Sequence, residues 1–481
     1  MSRINTNVTA LISARILNAN NYDLNKSLER LSTGLRINRG ADDPAGLITS
    51  ENLRKQIRGT EAAVKNAERA VNIVSTAEGA LNEVNAMLLD MQALLSEAAN
   101  TGGMSTEEID ANQTQVDSII NSIDRISNST EFEGIKLLNG TLAYTTTGVD
   151  TTKIADKTIK AAKLIDGASM TVDLAVTTSA QTGISYLSGA TVSTQAITLK
   201  VGSNRGSSEL TFAAGTTRAN VVAGINAVKE ITGVSAAASS NATTAVLRSV
   251  DFGTDAYVSV EVVGTKNETM FGITDLTSAT LDSHTDYGID VVATVNGSSA
   301  TGKGKKLTIS TSMLSAEIEL TNSAALSQAT ESFTISSGGG DFAIGALVDA
   351  IGLEAIGIQT VSSSTLGNAT DGRISTLKSG GTNSLSSANL YTAQRIVTEA
   401  IKDVSNLRGR LGSFQKNTLE TTIRSLNVTK ENLYAAESAI RDTDFATETS
   451  RLTRSQILVQ SATMVLSTAN VAPQNVLSLL S

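Results

Sequence analysis

Both ends of this chain step through their apolar residues by threes and fours. From Leu452 the series runs through Ser455, Val459, Ala462, Leu466, Ala469, Pro473, Val476 and Leu480, an a/d heptad seam carried almost to the last residue. The opposite end carries Leu24, Leu28, Leu31 and Leu35, with Ile4, Val8 and Leu11 further out. This spacing predicts amphipathic helices whose stripes need partners. Full burial of Leu452, Val459, Leu466, Val476 and Leu480 contributes about 10 kcal/mol. Ordering the backbone costs on the order of 1–2 kcal/mol per residue, and helical hydrogen bonds recover only part of it. A hairpin of two such arms is marginal by itself. The expectation is that residues 1–39 and 451–481 are disordered in the lone molecule and helical in an assembly.

Between the arms the code changes twice. Asn38-Arg39-Gly40-Ala41-Asp42-Asp43-Pro44 is a loop of turn formers. A long helical seam follows, Leu53, Ile57, Thr60, Val64, Ala67, Val71, Val74, Glu78 and Leu81. One step of three to Val84 shifts its phase before Leu88, Met91, Leu95 and Ala98, which predicts a stammer. After Gly102-Gly103, Ser105 or Thr106 with Glu108 predicts a capping box. The helix it opens repeats Ile109, Val116 and Ile123, interleaved with Ile119 and Ile126. Asn139-Gly140, between two short apolar segments, predicts a type I′ hairpin turn.

From about residue 145 to 384 charges thin out and Thr, Ser, Gly and Val dominate. Period-two runs at 191–201, 257–263 and 306–310 predict strands, and 356–361 a return strand. A helix is predicted over 219–228, with Val221, Val222, Ile225 and Val228 on one face. Helical spacing returns with Ala393, Val397, Ala400, Val404, Leu407, Leu411 and Phe414. Leu419, Ile423, Leu426, Leu433 and Ile440 continue it, in one helix or two nearly collinear ones.

The pattern predicts a multi-domain α+β protein, a coiled-coil rod of paired long helices built from both chain ends with a β-rich inserted outer domain. Inner terminal helices occupy 1–44 and 446–481, and a helical rod with a β-hairpin occupies 45–144 and 385–445. The insert, 145–384, forms one or two subdomains. The rod seam is Val64, Val71, Val74, Leu81, Leu88, Met91, Leu95, Val404, Leu411, Leu426 and Leu433.

Composition removes most chemistry. There is no Cys, a single His284, and no nucleophile, base or metal constellation. The expectation is a non-enzyme without cofactor or metal. A net charge of −9 disfavours nucleic acid and anionic membranes, and no apolar run is long enough to span a bilayer. Residues 1–10 lack the apolar core of a secretory signal, so a secreted form would leave by another route.

Several ordered motifs resemble bacterial flagellins. Ser32-Thr33-Gly34-Leu35-Arg36-Ile37-Asn38 and Ala41-Asp42-Asp43-Pro44-Ala45-Gly46 are similar to the family's N-terminal signature. Glu78-Gly79-Ala80-Leu81-Asn82-Glu83 and Phe132-Glu133-Gly134-Ile135-Lys136-Leu137-Leu138 extend the match. Near the other end, Ala436 to Ala446, centred on Arg441-Asp442-Thr443-Asp444-Phe445, and Pro473-Gln474-Asn475-Val476-Leu477 are similar to its C-terminus. Residues 210–238, with Thr232-Gly233-Val234, resemble an insert repeat of many flagellins.

The resemblance implies a subunit that polymerises into the helical flagellar filament used for swimming. Paired arms would form the inner tubes, long helices the next shell and the insert the outer surface. It implies type III export in an unfolded state without a cleaved signal, an extracellular location, and partners in the flagellar cap, the hook–filament junction proteins and an export chaperone. Flagellins that activate the vertebrate flagellin receptor carry an arginine and a glutamate where this chain has Asp90 and Ala93, which implies weak contact with that innate receptor.

Sharper motifs give way to plainer ones. Gly297-Ser298-Ser299-Ala300-Thr301-Gly302-Lys303 begins like a phosphate-binding loop, but Gly304 follows and then a strand, so a hairpin turn is expected. His284 is expected on a surface loop. The His-Glu-x-x-His of protease-bearing flagellins is absent. The Ser/Thr-rich insert suits either O-glycosylation or a solvated β surface. A hook–filament junction protein shares both helical ends, and a surface adhesin acting through the insert is the alternative from another class.

Overall fold

The computed structural model describes residues 6–100, 102–164, 169–188, 196–238, 244–263, 273–274, 280–281, 283–327, 330–347, 352–387 and 389–478. Its helices are α1 (Val8–Thr33), α2 (Pro44–Ala98), α3 (Thr106–Ser129), α4 (Arg218–Ala227), α5 (Lys229–Thr232), α6 (Asn322–Ala325), α7 (Leu390–Ser413), α8 (Glu420–Arg441) and α9 (Phe445–Ser478). Terminal helices thus flank a β-rich middle. Contacts divide the chain into two units. The first holds Met1–Ala67, Ile344–Val348 and Thr421–Ser481, the second Glu68–Ala343 and Asp349–Glu420.

In the first unit α1 begins where the Asn7 side chain accepts from the Ala10 amide at 3.1 Å. It ends at Gly34, whose φ of 75° is a left-handed C-cap. The Thr443 amide donates to the Gly34 carbonyl at 2.9 Å and the Arg36 amide to the Arg441 carbonyl at 2.7 Å, tying the two chain ends together. The Asp42 carboxylate accepts from the amides of Asn38 and Arg39 at 3.3 and 3.0 Å and lies 2.9 Å from Lys26 Nζ. Asp43 accepts from the Gly46 amide at 2.9 Å. A Cβ at Gly46 would fall 2.5 Å from that carboxylate and 2.7 Å from the Ile37 side chain, which explains the glycine there. α8 meets the first part of α2 through polar groups, Arg54 with Glu437 at 3.5 Å and Tyr434 Oη donating to Glu61 at 2.7 Å. Leu426 and Leu433 are half-buried.

In the second unit the stripe on α2 runs through Ala70, Val74, Ala77, Leu81, Val84, Leu88, Met91, Leu95 and Ala98, all buried. These steps alternate three and four without interruption. The expected phase shift does not fall at Val84, because Ala70 and Ala77, not Val71 and Glu78, carry the seam; the extra step of three falls earlier, among the buried Val64, Ala67 and Ala70. Val71 and Glu78 are half-buried beside it. Nearer the start of α2, Val64 is also buried. The predicted capping box opens α3: Glu108 accepts from the Ser105 amide at 2.7 Å and donates its own amide to Ser105 Oγ at 3.3 Å. α7 buries Ala393, Ile396, Val397, Ala400, Val404, Leu407 and Leu411. Residues 390–441 are helical throughout, with a π-helical turn at Phe414–Leu419.

The type I′ signal at Asn139-Gly140 is not a hairpin. The tight turn falls at Glu133-Gly134, φ 50° and 83°, where Phe132 pairs with Ile135. The Asn139 side chain instead accepts from the Thr141 amide and hydroxyl, at 3.1 and 2.7 Å, forming an Asx turn. The chain there runs beside 358–361, with the Val361 amide donating to Leu138 and the Ile358 amide to Leu142.

The insert has two cores. An eight-stranded antiparallel sheet runs in the order Thr145–Thr147, Thr330–Ser337, Met170–Thr178, Val292–Val295, Ser298–Lys303, Lys306–Ser310, Leu314–Leu320, Ile154–Ala162. It buries Val172, Leu174, Val295, Leu307, Ile318, Phe333 and Ile335. Its hairpins at Asn296-Gly297 and Gly304-Lys305 replace any phosphate loop. Nested between Met170–Thr178 and Val292–Val295, a four-stranded and a five-stranded sheet share a second core of Leu187, Leu199, Val201, Val221, Ile225, Leu247 and Val260. Val221 and Ile225 supply the buried face of α4. The strand expected at 191–201 is Ile197–Ser203, since 191–195 lie outside the described residues. Pairing of the return strand stops at Ile356. His284 is on the strand Ser283–Tyr287, not a loop, with Nδ1 3.2 Å from Ser185 Oγ.

Candidate assembly surface on the terminal helices

The pairing of α1 with α9 is antiparallel. Asn7 Nδ2 donates to the Ala469 carbonyl at 2.7 Å, Asn20 Nδ2 to the Leu458 carbonyl at 3.4 Å, and Ser27 Oγ to Glu448 Oε1 at 2.6 Å. The buried positions on α1 and α9 are small or polar: Ser13, Ser27, Glu448, Ser455 and Ala462. Along the same face on α1 lie Leu17, Leu24 and Leu31, and on α9 Leu452, Val459 and Leu466, all half-buried. Each helix thus alternates a small or polar residue with a large aliphatic one.

The outward faces are apolar as well. On α1 Val8, Leu11, Ile12, Ile16 and Leu28 are exposed; on α9 Phe445, Ile457, Leu458, Met464, Val465 and Val471 are. Leu11 keeps 64% of its surface and Met464 keeps 71%. Contiguous exposed aliphatic groups on two adjacent helices are characteristic of an interaction surface. The chemistry this surface offers is association. No group of His, Cys, Asp or Glu suited to holding a metal occurs among the described residues.

Charges close the joint end of the pair. The Lys26 ammonium beside Asp42, helped by the Arg39 and Asn38 amides, holds that carboxyl below its ordinary value. Asp444, just before α9, accepts from the Thr447 hydroxyl at 2.8 Å and from the amides of Thr447 and Ala446; these bonds lower its pKa as well.

Similarity to known proteins is concentrated in the helical ends. Residues 4–143 match the bacterial flagellin N-terminal helical region, and residues 394–480 match the bacterial flagellin C-terminal helical region. Across nearly its whole length the chain is 30% identical to the flagellin of Salmonella typhimurium, covering 99% of each chain. The chain belongs to the bacterial flagellin family. The flagellin of Clostridium tyrobutyricum is likewise 30% identical, over 98% of this chain and all of its own. That of Bacillus subtilis reaches 46% over 140 residues, 29% of this chain and 46% of the relative.

Within this flagellin the arm residues singled out from the sequence fall into three groups. Leu24, Leu31, Leu35, Leu452, Val459 and Leu466 are half-buried, whereas Val8, Leu11 and Leu28 are exposed. Ile4 and Leu480 lie outside the described residues, and Val476 is in α9 with its side chain outside them. Ile12, Ile16, Ile457, Leu458, Met464 and Val465 belong to the apolar surface but not to the predicted seam. Their signal was present: apolar residues at i, i+4 and i+7 or i+8 beside a seam mark a second stripe. Asp90 and Ala93 are both exposed on α2.

Proposed function

We propose that this flagellin is the structural subunit of a helical flagellar filament and that α1 and α9 carry its self-association. The observation that supports this most directly is the run of exposed aliphatic side chains on α1 and α9, beside a contact whose fully buried positions are Ser13, Ser27, Glu448, Ser455 and Ala462. A helix pair whose fully buried line is small or polar leaves much of its large apolar surface for other copies. On this reading the two arms become ordered as subunits join, the subunit acts in the extracellular filament after export in an unfolded state, and its partners are the cap, the junction proteins and an export chaperone. Residues 1–44 and 446–481 form the inner layer, 45–144 and 385–445 the next, and 145–384 the outer surface. Exposed Asp90 and Ala93 in place of an arginine and a glutamate make contact with the innate receptor weak.

The test is seeded growth of purified protein followed by electron microscopy, with amide exchange on the dilute, unassembled form. Long fibres and little protection over 1–39 and 451–481 before assembly are expected. A subunit that does not elongate from seeds overturns the filament reading, and strong protection in the dilute monomer overturns the ordering on assembly.

A further inference from the structure

The repeat that pairs α1 with α9 leaves their register poorly determined. On α1 Ser13, Asn20 and Ser27 recur every seven residues, each followed four positions later by Leu17, Leu24 or Leu31. On α9 Ser455, Ala462 and Ala469 recur every seven, each preceded three positions earlier by Leu452, Val459 or Leu466. Sliding one helix past the other by a heptad sets small against small and aliphatic against aliphatic again. Apolar packing therefore distinguishes such registers weakly.

Glu448 breaks this degeneracy. It sits one heptad before Ser455, in the small-residue line, and is only 4% exposed. Ser27 Oγ donates to its Oε1 at 2.6 Å, while Arg30 Nη1 and Arg451 Nη1 lie 3.6 and 3.7 Å from Oε2. Ser27 and Arg30 come from α1, Arg451 from α9 itself. A heptad slip would carry the carboxylate away from Ser27 and Arg30 and leave a buried charge short of two of its three partners, whereas no other buried position in the repeat carries a charge. The Asn7 and Asn20 bonds go to backbone carbonyls, which every register offers.

We propose that Glu448, held by Ser27 and Arg30, is the positioning residue that fixes the register of α1 against α9, and through it the phase of the outward apolar stripes presented to neighbouring subunits. The proposal rests on the filament reading, because the stripes matter only if copies pack on them. The backbone bonds near Gly34 and Thr443 anchor the loop end of the pair. The carboxylate acts further along, at the start of the repeat itself.

The chain has no cysteine, so engineered pairs report register cleanly. Asn20→Cys with Leu458→Cys reads the observed register; Asn20→Cys with Val465→Cys reads a slip of one heptad. Each pair is placed in the parent, in Glu448→Gln and in Glu448→Leu, and oxidised after seeded co-assembly with an excess of the parent chain. The parent and Glu448→Gln, which still accepts from Ser27, are expected to give the Leu458 cross-link. Glu448→Leu is expected to raise the ratio of slipped to native cross-link at least about tenfold, equivalent to about 1.4 kcal/mol. Exclusion of Glu448→Leu from fibres that admit Glu448→Gln would also uphold the assignment. Retention of the native cross-link alone in Glu448→Leu overturns it and shows the loop-end bonds to be sufficient. Failure of the parent chain without engineered cysteines to elongate from seeds counts against the filament reading instead.

Discussion

Replacing Leu11 and Met464 together by glutamine tests the outward face of the arms most directly. Each side chain is mostly exposed in the single chain, 64% and 71%. Complete burial of such a group contributes about 1.5–3 kcal/mol, so neighbours covering the remaining surface would gain about 1–2 kcal/mol from each. Glutamine forfeits that gain and brings an amide that must be desolvated or paired. The double variant should lose about 2–4 kcal/mol per subunit added, a rise in critical concentration of roughly 30- to 1,000-fold. Sedimentation of fibres grown from seeds over a range of protein concentrations measures this. Because neither side chain lies in either insert core, the thermal transition of the insert should not move. A critical concentration within about threefold of the parent, well below the 1.4 kcal/mol that a tenfold change represents, would refute the reasoning.

Three further outcomes follow. Phe333→Ala, in the core of the eight-stranded sheet, should cost about 3–5 kcal/mol in denaturant unfolding of the insert while seeded elongation proceeds. Asp42→Asn should weaken fibres at neutral pH by about 1 kcal/mol, the net worth of the hydrogen bonds it loses. Since Lys26 and the loop amides depress the folded pKa of Asp42, its contribution is present above the unfolded value and lost as pH falls through the folded one. Parent and variant should therefore converge as the pH falls below the ordinary carboxylate range and through the depressed pKa of Asp42, as read by fibre dissociation. Finally, pure protein should stimulate a flagellin-receptor reporter weakly, and Asp90→Arg combined with Ala93→Glu should raise the response.

Periodicity alone located the long helices and some of the strands, because a 3.6-residue or two-residue repeat of apolar side chains is written locally; strands such as Ile154–Ala162, Met170–Thr178 and Leu314–Leu320 were not read from it. The predicted strands at 257–263 and 306–310 correspond to Tyr257–Val263 and Lys306–Ser310, and the Ser105–Glu108 capping box is present. Misreadings arose where two residues competed for one role. Val71 and Glu78 continue the spacing of Val64, but Ala70 and Ala77 are the residues buried there, and Val71 and Glu78 stay half-buried beside them. Glu133-Gly134 took the tight turn from Asn139-Gly140, whose asparagine side chain is bound to Thr141 and whose glycine lies against Thr360, where a Cβ would be 2.4 Å from the hydroxyl.

The sequence by itself determined that both ends are amphipathic helices around a β-rich middle, and that no familiar catalytic constellation is present. It also announced more apolar surface on the arms than one helix pair can cover. Only the tertiary structure decided which stripe is covered: Ser13, Ser27, Ser455 and Ala462 go inward, and Leu11, Ile12, Met464 and Val465 stay out. The reason is distance. Two helices in close contact can admit small side chains at the line of approach, and how close they come depends on residues more than 400 positions apart, such as Ser27 and Glu448. No local repeat contains that information.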